Sequence, residues 1–210
     1  VTDQHDGRRD GGRPSGPGRR ASFAERKERH AAVEDPTIVL EAAARFLEPR
    51  ARSVTEVRRR LTGAGYRIDL VDGAITRMLD LGMLDDEAFA RAWIESRDRA
   101  RPRSERAMRQ ELGLKGVDRA TVDLVLGERR EAVAGVPSDD GEPVSADQAA
   151  AERLIARNAR TLARIADPRK RRQRAYALLA RNGFDPEVCR TVAARIEDDA
   201  ADNGGPTADE

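Results

Sequence analysis

The chain has 210 residues, of which 37% are charged, 39% hydrophobic and only 3% aromatic. That is too little apolar material for a deep core or for a sandwich of β-branched and aromatic strands, and no apolar run approaches the ~20 residues of a membrane-spanning helix. The formal net charge of +1 conceals a charge sorted along the sequence, with +5 over residues 146–198 and −4 over 199–210, and a single cysteine, Cys189, excludes an internal disulfide.

Taken in chain order, residues 1–36 open with Asp6–Arg20 (DGRRDGGRPSGPGRR), where Gly, Pro, Ser and Arg replace anything that packs. Ordering such a stretch costs backbone entropy without compensating burial, so disorder is expected, followed by a charged, fraying helix over 21–34. Residues 1–20 lack a hydrophobic h-region and carry Asp3, Asp6 and Asp10, so they read neither as a signal peptide nor as an acid-poor transit peptide. A cytoplasmic protein with no membrane contact is expected.

Residues 37–84 form a first unit of three helices. Val39, Ala43, Phe46 and Leu47 share one face of the first; Ser53 and Glu56 make a capping box for the second; Val71, Ala74 and Ile75 line the third. Residues 85–134 repeat the plan, with Phe89, Ala90, Trp93 and Ile94, then Ser104 as N-cap, then Asp118 as N-cap before Val122, Val125 and Leu126. An acidic linker (135–145, GVPSDDGEPVS) follows. The third unit, 146–197, has Ala150, Ala151, Leu154 and Ile155, an Asp167-Pro168 helix start, and Asp185 before Cys189, Val192 and Ala193. Residues 198–210 are an acidic tail for which disorder is expected.

The repeat is clearest at the end of each second helix. VRRRLTGAGY (57–66), MRQELGLKGV (108–117) and AYALLARNGF (175–184) align Leu61, Leu112 and Leu179, then Gly65, Gly116 and Gly183, then Tyr66, Val117 and Phe184. Glycine just past a helix takes the left-handed conformation without a Cβ penalty, and the apolar residue after it folds back onto the leucine five positions earlier. The expected architecture is all-α: three tandem three-helix repeats in an elongated, curved array, because a unit of ~45 residues is marginal alone and packs on its neighbours.

Chemistry for catalysis is missing. The two histidines, His5 and His30, lie in the N-terminal extension, Cys189 stands where the other repeats have Val71 and Val122, and neither a phosphate-binding loop nor a Cys/His metal spacing occurs. Asp85 and Asp86 sit at a helix start, where carboxylates serve as caps. A non-enzymatic monomer without cofactor or metal, acting by binding, is expected. Two basic stretches are the candidates for that binding: Arg97, Arg99, Arg101, Arg103 and Arg106 in RDRARPRSER, and Arg169, Lys170, Arg171, Arg172 and Arg174 in RKRRQR. Each suits phosphates or an acidic protein surface, and the competing reading of each is a solvated charged face. No aromatic interleaves them, so base-by-base reading of a single strand is not expected.

The span GYRIDLVDGAITRMLDLGMLDDEAFARAWIESR (65–97) resembles the RecX family: a glycine-aromatic turn leads through a helix to Leu84-Asp85-Asp86 and then to Phe89-Ala90. RSERAMRQELGLKGVDRATVDLVL (103–126) is similar to the same family at Glu111, Leu112, Lys115 and Gly116, and the resemblance runs over about 37–197, more loosely in the third unit. It implies a regulator that binds RecA and RecA filaments on DNA, lies along the filament groove, and inhibits ATP hydrolysis and strand exchange in recombination, repair and the SOS response. The alternative is a protein that binds DNA directly through helix-turn-helix-like units. That reading wants positive charge concentrated on one recognition helix, whereas the third helices carry little of it: Arg77, Arg119, and Arg190 with Arg195. The long N-terminus, Gly113 inside a helix and the linker before the third unit depart from the family pattern.

Overall fold

A computed structural model describes residues 22–134 and 144–202, with side chains as far as Ile196. The expectations for residues 1–21, for linker residues 135–143 and for the tail from residue 203 lie outside the described residues. The described residues form ten α-helices and no strand: α1 (Phe23–Ala31); α2 (Pro36–Leu47), α3 (Val54–Ala64) and α4 (Ile68–Asp80); α5 (Asp86–Ala100), α6 (Glu105–Leu114) and α7 (Arg119–Glu131); α8 (Ala146–Ala163), α9 (Pro168–Arg181) and α10 (Pro186–Asp202).

Local chemistry accounts for the boundaries. Ser53 accepts from the Glu56 amide while the Glu56 carboxylate returns to the Ser53 N–H, closing a capping box at α3. Ser104, Asp118 and Asp167 cap α6, α7 and α9, and Asp185 accepts from the amides of Glu187 and Val188 at the start of α10. At the three aligned stops, Gly65, Gly116 and Gly183 have φ of 104°, 79° and 89°. The following amides of Tyr66, Val117 and Phe184 donate to the carbonyls of Leu61, Leu112 and Leu179 at 3.3, 3.1 and 3.4 Å. A fourth stop of the same kind ends α4, with Gly82 at φ 66° and Met83 N–H on the Met78 carbonyl.

Each unit buries its own apolar cluster. Val39, Ala43, Val57, Leu61, Val71, Ala74, Ile75, Met78 and Leu84 fill the first. Phe89, Ala90, Ile94, Met108, Leu112, Val117, Val122, Val125 and Leu126 fill the second. The third has two adjoining clusters, one around Leu154, Leu179, Phe184 and Cys189 and a smaller one of Leu162, Ala175 and Ala193. None of these clusters spans two units. The described units are therefore small cores in series, and no buried apolar cluster joins one unit to the next.

The helix at 23–31 is seated against the end of α3. Ser22 and Glu25 form its capping box, His30 Nδ1 lies 2.8 Å from the Ala64 carbonyl, and the His30 ring stacks on Tyr66 at 4.4 Å. It buries no residue of its own, so capping and these polar and aromatic contacts with the end of α3 hold it in place. The α9 helix departs in another way: it begins at Pro168, whereas alignment on the stop glycines puts Arg171 where Ser53 and Ser104 cap the other two. The extra turn carries Arg169, Lys170 and Arg171.

Candidate interaction surfaces

The aligned glycines do more than end helices. The Ser53 hydroxyl donates to the Lys115 carbonyl at 2.6 Å and Thr55 Oγ1 to the Gly116 carbonyl at 3.2 Å, so the start of α3 sits on the helix stop of the second unit. One unit along, the Ser104 hydroxyl donates to the Gly183 carbonyl at 2.7 Å. A Cβ on Gly183 would stand 2.8 Å from both Ala107 Cβ and Ser104 Oγ, and one on Gly116 would collide with Thr55. Ser53 and Ser104 are 0% and 1% exposed, so each hydroxyl uses its lone pair within its own cap and its hydrogen across the joint.

A carboxylate completes each joint. Asp86 at the start of α5 accepts from the Val54 amide of α3 at 2.9 Å, and Asp147 in α8 accepts from the Glu105 amide of α6 at 2.9 Å. Both cap a helix of the preceding unit. Asp85 alone caps its own helix, through the amides of Glu87 and Ala88. Burial pushes the carboxyls of Asp86 and Asp147 above their ordinary value, and the amide bonds offset that only in part.

The joint between the second and third units has an added pin. Arg129, on α7 and 8% exposed, pairs with Asp98 at 2.9 Å and Asp147 at 3.2 Å and donates to the Ala146 carbonyl at 3.2 Å. Arg153 of α8 pairs with the same Asp98 at 3.1 Å, and Arg157 donates to the Arg99 carbonyl. The third unit thus meets the second through a joint of the same kind that links the first two. Sequence reasoning missed Arg129, whose only signal is an arginine on the apolar side of α7, three residues after Leu126.

The two basic stretches fare differently. Arg97 and Arg103 turn inward onto Glu111, at 2.7 and 3.0 Å, and Glu111 also accepts from Trp93 Nε1 at 2.9 Å. The Trp93 ring has the Arg97 guanidinium over it at 4.4 Å and the Lys115 ammonium at 4.2 Å. Arg99 reaches Glu95 only at 4.0 Å; Arg101 and Arg106 are exposed, with no acidic partner among the described residues. In the second stretch Arg171 is half-buried on the Ile165 carbonyl, while Arg169, Lys170, Arg172 and Arg174 are exposed.

Further ion pairs follow the repeat. Arg58 with Asp72 and Arg109 with Asp123 join the second and third helices of units one and two at equivalent positions, which Tyr176 and Arg190 occupy in unit three. Cys189 is fully buried, and burial raises its thiol above the usual range. Among the described residues no group of three or more His, Cys, Asp or Glu could hold a metal ion, and no helix is long and apolar enough to cross a membrane.

Comparison with known proteins places these features. Residues 85–126 match the family model described as RecX, second three-helix domain, and 146–192 that described as RecX, third three-helix domain. Regulatory protein RecX of Mycobacterium avium is 31% identical over 153 residues, covering 72% of this chain and 81% of that protein. The chain belongs to the RecX family. A RecX relative from Mycobacterium tuberculosis is 30% identical over 156 residues, with coverage of 72% and 82%. Two crystal structures share the RecX fold. RecX from Lactobacillus salivarius has a TM-score of 0.56 at 18% identity, covering 78% of this chain and 97% of that one, and a regulatory protein RecX has 0.59 at 16%, with coverage of 76% and 73%. The RecX-like signature thereby acquires a structural meaning. Leu84 closes the first core, Asp85 starts α5, Asp86 caps α3, and Lys115-Gly116 receives Ser53 and Thr55, so the signature marks the joint between units one and two.

Proposed function

We propose that this chain binds RecA and RecA filaments on DNA and restrains their ATP hydrolysis and strand exchange, lying along the filament as an extended array. Membership of the RecX family, whose curated relatives carry the name regulatory protein, is the observation that carries this reading. The architecture supports it. Small cores in series, joined by polar contacts, present a long surface for little chain, which suits a partner that is itself a helical polymer. The exposed first half of α9 is the proposed contact, because Arg169, Lys170 and Arg174 are exposed there and alignment puts Arg171 where the other two units have the serine that makes a joint.

Direct duplex reading in the helix-turn-helix manner has less support. The arginines of the third helices are largely engaged within the chain: Arg119 with Asp123 at 3.4 Å, Arg129 with Asp98 at 2.9 Å, Arg130 with Glu105 at 3.1 Å and Arg195 with Glu152 at 2.6 Å. The discriminating experiment is co-sedimentation of the chain with RecA filaments on single-stranded DNA, beside a duplex-binding assay without RecA. The parent chain should pellet with the filaments, and the Arg169→Ala, Lys170→Ala, Arg174→Ala variant should pellet several-fold less at unchanged helicity. Absence from the pellet together with tight, sequence-dependent duplex binding would overturn the reading.

A further inference from the structure

Each unit has a joint face: the carbonyl before the stop glycine, the glycine itself, and the apolar residue after it. Lys115 and Asn182 precede Gly116 and Gly183, and their carbonyls accept from the Ser53 hydroxyl at 2.6 Å and the Ser104 amide at 3.3 Å. In the first unit the same place is taken by α1. Ala64 precedes Gly65, its carbonyl lies 2.8 Å from His30 Nδ1, and the His30 ring stacks on Tyr66. A carbonyl only accepts, so Nδ1 carries the hydrogen. A Cβ on Gly65 would stand 2.7 Å from the Lys27 carbonyl oxygen and 3.0 Å from Lys27 Cα, backbone atoms that cannot swing aside. Gly82 has the same left-handed backbone but nothing within 4 Å of an added Cβ, so a stop glycine does not by itself bring a helix against it.

The occupant is held differently from those of the inner joints. There the start of a helix rests on the stop; here it is the second half of α1, where Lys27 and His30 follow the Ser22 cap by five and eight residues. No side chain of α1 is buried, and a helix of 9 residues is too short to be stable alone in water, so it depends on this face to stay folded. Val33, which packs on the first core, anchors the chain between α1 and α2. We propose that α1 is a strap hinged at Val33, which closes the joint face of unit one in cis and opens from it while the unit stays folded. Closed, it covers the Ala64 carbonyl and one side of the half-buried Tyr66 ring, and it leaves a further helix no place against Gly65. A terminal cap of this kind ends a repeat array whose faces would otherwise take another unit. The device is independent of how the chain meets RecA, so a failed RecA assay leaves it standing.

The test is hydrogen exchange of the full chain, followed by mass spectrometry on peptides covering α1, α2 and α4. In the parent, α1 amides should exchange at least about tenfold more slowly than an unstructured peptide, yet faster than those of α2 and α4. Low urea should leave the α1 rate unchanged, because a strap that opens alone exposes little surface. Gly65→Ala should bring α1 to within about threefold of the unstructured rate while α2 and α4 stay protected. Gly82→Ala carries the same backbone penalty and should keep α1 protected. His30→Ala should lower α1 protection several-fold, and it gives a second reading should Gly65→Ala fold poorly. Unprotected α1 in the parent, or protection unchanged in both Gly65→Ala and His30→Ala, would overturn the proposal. So would α1 opening only together with α2 and α4, or α1 protection that rises with protein concentration, which would make the strap a contact from a second copy.

Discussion

The Ser104 hydroxyl donates to the Gly183 carbonyl at 2.7 Å across the boundary between the second and third units, as Ser53 does to Lys115 at 2.6 Å across the first. One side chain thus starts a helix in its own unit and fastens the stop of the next. Because the joint glycine has a neighbour where a Cβ would go and Gly82 has open space there, the two kinds of helix stop can be separated by experiment. Gly82→Ala should cost only the left-handed backbone penalty, about 1–2 kcal/mol. Gly183→Ala should cost at least ~1 kcal/mol more, since Ala107 and Ser104 must also give way. Urea denaturation of the two variants measures the difference, and equal losses would remove the joint from the account.

Gly113 lies within α6, exposed, with nothing within 4 Å of an added Cβ. Gly113→Ala should therefore stabilise the chain by up to ~1 kcal/mol, read as a higher urea midpoint at unchanged slope.

Asp86 supplies a pH prediction. Its folded carboxyl titrates above the ordinary value of 3.8, with burial the first cause, so folding favours the protonated form. The stabilising contribution is full below the unfolded pKa and is lost as pH rises through the folded pKa. Asp86→Asn keeps an oxygen for the Val54 amide without the buried charge. At pH 7 it should be as stable as the parent or more so, and that advantage should shrink as pH falls through the folded pKa. Asp86→Ala, which leaves the amide without its acceptor, should lose ~1 kcal/mol at neutral pH. Chemical denaturation at a series of pH values tests both.

Arg129→Met removes the pin of the second joint and leaves Asp98 and Asp147 facing each other without their shared cation. Breaking a buried pair costs about 3–5 kcal/mol, and the partial exposure of these carboxylates puts the expected loss at the lower end of that range or below it. Each unit keeps its own core, so the loss should appear as a separate, earlier transition of the third unit by hydrogen exchange. One cooperative transition shifted by less than ~0.5 kcal/mol would contradict the role of Arg129.

Much of the fold was legible because its signals are local. Serine and aspartate caps, proline at a first turn, and glycine followed by an apolar residue act within a few positions, and threefold repetition made them plain. What lay hidden is what acts between units. Ser53 reads as a cap and nothing else, although its alignment with Ser104, and the arginine standing in that place in the last unit, was the available clue. Asp86 reads as a cap for its own helix and serves another. Two of the five arginines of the first stretch turn inward, because Arg97 and Arg103 share Glu111 with Trp93, a meeting of side chains 8 to 18 residues apart that composition cannot show.

The central claim, regulation of RecA, is tested most directly by ATP hydrolysis of RecA assembled on single-stranded DNA, titrated with the full chain. Hydrolysis should fall as the chain is added and level off once the filament is saturated, with the Arg169→Ala, Lys170→Ala, Arg174→Ala variant requiring several-fold more protein. A hydrolysis rate unchanged at saturating chain would contradict the account.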